Sequence, residues 1–130
     1  MLLIAGVSND ESLATLGRLA ESMRNLSEQI LGDFAVIYPP CGAYLNAAMR
    51  VSEKLDVLSL KEIERDYHAD GALPEAPDFC YHAKDLVVHP ATVILLSREP
   101  DTPLTRGRIN AEIQEVRAHI GQVERLLTDE

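Results

Sequence analysis

The sequence predicts one α/β domain: a mainly parallel four-stranded sheet with helices on both faces and a long C-terminal amphipathic helix. Three observations lead there. Short apolar runs recur at residues 2–7, 34–38, 57–60 and within 86–96, as buried strands do. Stretches with apolar residues three and four apart alternate with those runs. The strand–helix order that results is the one that builds a parallel sheet through right-handed crossovers.

Taken in order, residues 2–7 read as a first buried strand, ended by Ser8 or Asn9 as a helix cap. A helix is expected over 10–31, with Leu13, Leu16, Ala20, Met23, Leu26 and Ile30 on one side and Gly32 as its stop. Residues 34–38 form the second expected strand, closed by Pro39-Pro40. A second helix follows from Cys41 or Gly42 to Leu55, then a short strand over 56–60 and a helical turn over 61–67. Residues 68–83 are irregular, punctuated by Gly71, Pro74 and Pro77. The segment 86–96 reads either as one strand interrupted by Pro90 or as two, with 93–96 central in the sheet.

The last helix is expected over 105–127. Ile109, Ile113, Val116, Ile120, Val123 and Leu127 follow spacings of 4, 3, 4, 3 and 4, a heptad seam. A helix lying flat on a sheet shows a wider stripe, so this narrow one predicts a helix-to-helix contact. Residues 1–104 are expected to form the core, with 105–130 packed on it or on a second copy; the narrowness favours a homodimer.

Charge and composition restrict the partners. With 21 acidic and 12 basic side chains the net charge is −9, and the three lysines and scattered arginines form no basic stripe. Neither nucleic acid nor an anionic membrane is an expected partner. No apolar run nears the roughly 20 residues of a bilayer span, and the apolar start lacks the basic region of a signal peptide. Two well-separated cysteines suggest a cytoplasmic protein with both thiols reduced.

Two candidate chemistries follow, and neither selects a cofactor. Cys41 follows an expected strand and opens an expected helix, where the positive helix end stabilises a thiolate. This placement is similar to that of the attacking cysteine in the thioredoxin-like fold, and Pro90 before a late strand is similar to that fold's proline. Cys41-Gly42-Ala43-Tyr44 lacks the second cysteine of a redox pair, so the resemblance implies a monothiol enzyme or redox sensor with Cys41 as its catalytic residue. Second, His68, Asp70, Cys80, His82 and His89 are metal-capable and fall in one segment. His-x-Asp and Cys-x-His spacings put both side chains of each pair on one face of a strand, but they match no established zinc signature, which spaces paired ligands by two to four residues. Beyond these two, the sequence has no G-x-G-x-x-G, Walker lysine or G-x-S-x-G elbow. The leading expectation is therefore a small acidic adaptor, regulatory or assembly protein acting through self-association and protein contacts.

Overall fold

The computed structural model describes residues 12–128, and it corrects the expected fold class: among the described residues every regular element is helical. Helix α1 spans Leu13–Ile37, α2 Gly42–Met49, α3 Leu60–Ile63, α4 Cys80–Leu96 and α5 Pro103–Thr128. Short 3-10 turns, Pro39–Cys41 and Arg50–Lys54, flank α2, and a π-helical turn, Glu64–His68, continues α3. The expected strand over 2–7 and the caps Ser8 and Asn9 lie outside the described residues.

Helix α1 starts at Ser12, whose side-chain oxygen accepts from the Thr15 amide at 3.1 Å. It runs through the residues expected as a second strand and ends at Tyr38, immediately before Pro39. The ring of Pro39 disfavours helical backbone at the preceding residue, and Tyr38 accordingly leaves the helix at φ −121°, ψ 76°. Gly32 does not stop the helix. The expected strand over 56–60 is instead a turn and a helix start: Ser59 Oγ accepts from the Glu62 amide, and Glu62 Oε1 accepts from the Ser59 amide.

Helix α4 is the centre of the fold. It lies between α1 and α5, with α2 and α3 also packed on it. Of its 17 residues, 14 are buried, which explains why 86–88 and 93–96 look like strands. A helix covered on all sides has no polar face, so its sequence shows apolar runs without a 3.6-residue period. Pro90 sits inside α4 and removes one backbone donor without ending it.

Helix α5 lays its seam on α4. Ile109, Ile113, Val116 and Val123 are buried within the chain. Ile120 and Leu127 are partly buried and line an apolar cleft of about 180 Å³ with Met23, Leu26 and Ile30 of α1. The Tyr38 hydroxyl donates to the Leu126 carbonyl and ties the ends of α1 and α5 together. No described helix is long and apolar enough to cross a membrane.

The two cysteines are joined. A Cys41–Cys80 disulfide links the turn before α2 to the first residue of α4, and both residues are fully buried. This corrects the expectation of two free thiols: they stand 39 positions apart in sequence, but folding α2 against α4 brings their Cα atoms to 5.6 Å.

Candidate metal centre

Three helical segments each carry a carboxylate four residues before a histidine: Glu64/His68, Asp85/His89 and Glu115/His119. On a helix this spacing puts both side chains on one face. The π turn, α4 and α5 turn these faces toward one another. All four histidines of the chain, His82 included, lie in the resulting cluster.

Asp85 is its centre. Its Oδ2 stands 3.3 Å from His119 Nε2, 3.7 Å from His89 Nε2 and 4.0 Å from His68 Nε2. The opposite nitrogen of each ring is held from outside. His68 Nδ1 lies 3.0 Å from Glu64, His89 Nδ1 3.1 Å from Glu112, and His119 Nδ1 2.9 Å from His82 Nδ1. An ionised carboxylate only accepts, so in the neutral rings of His68 and His89 the proton sits on Nδ1 and a lone pair faces inward at Nε2. His119 takes the same state when its Nδ1 donates to His82.

The interior of the site is buried. The side chains of Asp85, His89 and His119 are 5%, 3% and 10% exposed, whereas His68 at 38% and Glu115 at 57% form an open edge. His89 Nε2 is buried and makes no hydrogen bond within the protein. Asp85 Oδ1 accepts no aligned hydrogen bond, although the Lys84 ammonium stands 2.9 Å away as an ion pair.

Burial and charge act differently on the rings. Burial pushes His89 down, but the hydrogen bond to Glu112 and the charges of Glu112, Asp85 and Glu115 outweigh it, so its pKa is raised. His119 is lowered, chiefly by burial, with Asp85 opposing and the neighbouring histidines reinforcing the shift. His82 is also lowered by burial.

The arrangement has the chemistry of a cation site. Inward lone pairs and a carboxylate repel one another unless a proton or a metal ion sits among them. Donors held about 2.0–2.1 Å from one ion at tetrahedral angles stand roughly 3.3 Å apart; His119 Nε2 is at that distance from Asp85 Oδ2, and His89 and His68, at 3.7 and 4.0 Å, stand wider and would have to draw in around an ion. His68, Asp85 and His89 offer donor atoms all within 4.8 Å of one another, as do His89, Glu115 and His119. Outer carboxylates on ligand imidazoles are the usual support of such centres.

The structure distributes the residues singled out from sequence unevenly. His68 and His89 enter the cluster, and His82 stands behind His119. Asp70 does not face the cluster: it accepts from the Tyr44 hydroxyl at 2.8 Å and pairs with Lys84 at 3.0 Å. Cys80 and Cys41 are consumed by their disulfide. Cys41 ends the 3-10 turn that follows α1 and is the N-cap of α2, so the strand that carried the thioredoxin-like resemblance is absent. Asp85, Glu112, Glu115 and His119 were not singled out as a set; the repeated carboxylate-x3-His spacing is the signal that marks three of them. No protein-family model, curated protein or solved structure matches this chain.

Proposed function

We propose that this is a metal-binding protein that holds one divalent transition-metal ion through His68 Nε2, His89 Nε2, His119 Nε2 and Asp85 Oδ2. One observation carries the reading: three inward imidazole nitrogens surround one buried carboxylate oxygen, each ring braced from behind. A donor set of three nitrogens and one oxygen, without thiolate, suits zinc, iron, nickel or copper. Such an ion supplies Lewis acidity; the residues themselves hold it, exclude water on the α4 side and leave the His68–Glu115 edge open. The disulfide supports an oxidising compartment rather than a reducing cytosol. The adaptor reading has less behind it, because four of the six seam residues are buried within the chain.

The test is titration of untagged, metal-stripped protein with Zn2+ and Co2+ by calorimetry, with elemental analysis of the protein as purified. The expected result is one ion per chain. The triple variant His68→Ala, His89→Ala, His119→Ala should take up none. Wild-type uptake no tighter than that of the triple variant overturns the proposal.

A further inference from the structure

Lys84 is the least expected residue of the core. It is one residue before Asp85 on α4 and 1% exposed, whereas the other two lysines, Lys54 and Lys61, are on the surface. A buried ammonium is costly unless all its interactions are made. Here its Nζ donates to the carbonyl oxygens of Tyr67 at 3.0 Å and His68 at 2.7 Å. It also pairs with Asp85 Oδ1 at 2.9 Å and Asp70 Oδ1 at 3.0 Å.

These contacts join two of the four metal donors named above. The carbonyls of Tyr67 and His68 close the π-helical turn, where backbone acceptors lack partners in the helix. Lys84 satisfies them and so fixes the backbone from which the His68 ring projects. On its other side, the ion pair to Oδ1 leaves Oδ2 of Asp85 turned toward the imidazoles. Behind it the cage is closed by Asp70, the one described non-glycine residue with positive φ, at 65°. Asp tolerates that conformation better than most residues, and Gly71 follows because a Cβ there would meet the Arg65 carbonyl oxygen at 2.5 Å. The turn, its strained corner and α4 thus converge on one ammonium.

We infer that Lys84 is the positioning residue of the metal centre: it sets His68 against Asp85 and so determines the geometry in which an ion is held. The inference rests on the metal reading above. Its test compares Co2+ binding by wild type and Lys84→Met, reading affinity and the visible ligand-field bands together. The variant is expected to bind about 10- to 100-fold more weakly, as for loss of other outer supports, and its bands should change position or intensity. A folded Lys84→Met protein with unchanged bands overturns the inference, whatever its affinity, because lost stability alone does not alter the ligand field. If the variant does not fold, side-chain nitrogen NMR of the wild type decides. Zn2+ should move the Lys84 ammonium signal and leave those of Lys54 and Lys61 in place; an unmoved Lys84 signal overturns it. A wild type that takes up no metal is a separate outcome, which sinks the proposed function and this inference with it.

Discussion

Glu112 Oε2 lies 3.1 Å from His89 Nδ1, while Nε2 of the same buried ring faces Asp85 with no hydrogen bond. One ring thus carries a bound proton outward and a free lone pair inward, and α5 supplies the carboxylate that enforces this on α4.

Replacing Glu112 by Gln tests that relationship through pH. The raised pKa of His89 means that the folded apo protein holds this proton above the ordinary histidine value of 6.5. Its contribution to stability is therefore full below about pH 6.5 and lost as pH rises through the folded value. His119 and His82 have the opposite sign: their lowered pKa values give stability that is present above about 6.5 and lost as pH falls through the folded values. Metal needs all the ligand rings deprotonated, so affinity should fall with acidification, beginning where His89 gains its proton. In Glu112→Gln that onset should move to lower pH, while the affinity at high pH drops about 10- to 100-fold. Calorimetry across pH 5–9 reads both; an unmoved onset would separate Glu112 from the state of His89.

The disulfide makes a second expectation quantitative. Cross-linking residues 39 apart removes unfolded-chain entropy, worth about 3–4 kcal/mol in the loop-closure description. Cys41→Ala with Cys80→Ala should lower the unfolding free energy measured by urea titration by that amount, with a correspondingly lower midpoint, and expose no reactive thiol. Both sulfurs are buried, so in the wild type a dithiol reductant should act slowly until denaturant is added. Unchanged stability after reduction would mean that the packing of α2 on α4 alone sets the transition.

How much was legible depended on whether a helix has a wet side. Helix α5, solvated on one side, shows its period plainly, and its observed span Pro103–Thr128 is close to the expected 105–127. Helix α4 hides its period because nearly every position is buried, and Pro90 at its middle adds a false punctuation mark. That one misreading propagates to the site. Read on a strand, His68 and Asp70 share a face; read on helices, the partners are four apart, and Asp85 and His119 come in while Asp70 and Cys80 leave. The end of α1 shows the same ambiguity: residues 34–37 are apolar throughout, so only Pro39 gives physical notice of where the helix must stop.

The seam of α5 carries the last expectation. Ile109 is fully buried and packs among core residues within the chain, so Ile109→Ala should cost about 2–5 kcal/mol through lost burial and the cavity left behind. Leu104, at 74% exposure on the same helix, should tolerate alanine within about 0.5 kcal/mol. The two ways in which the seam can be used differ in mass action. A contact within one chain gives an unfolding midpoint independent of protein concentration, whereas a contact that holds two copies together gives a midpoint that rises with concentration. Thermal unfolding of wild type and Ile109→Ala over a hundredfold range of concentration distinguishes them. The burial of Ile109, Ile113, Val116 and Val123 predicts flat midpoints, with the variant uniformly lower. A concentration-dependent midpoint that Ile109→Ala abolishes would assign the seam to a dimer, and would require α5 to leave α4 in the assembled state.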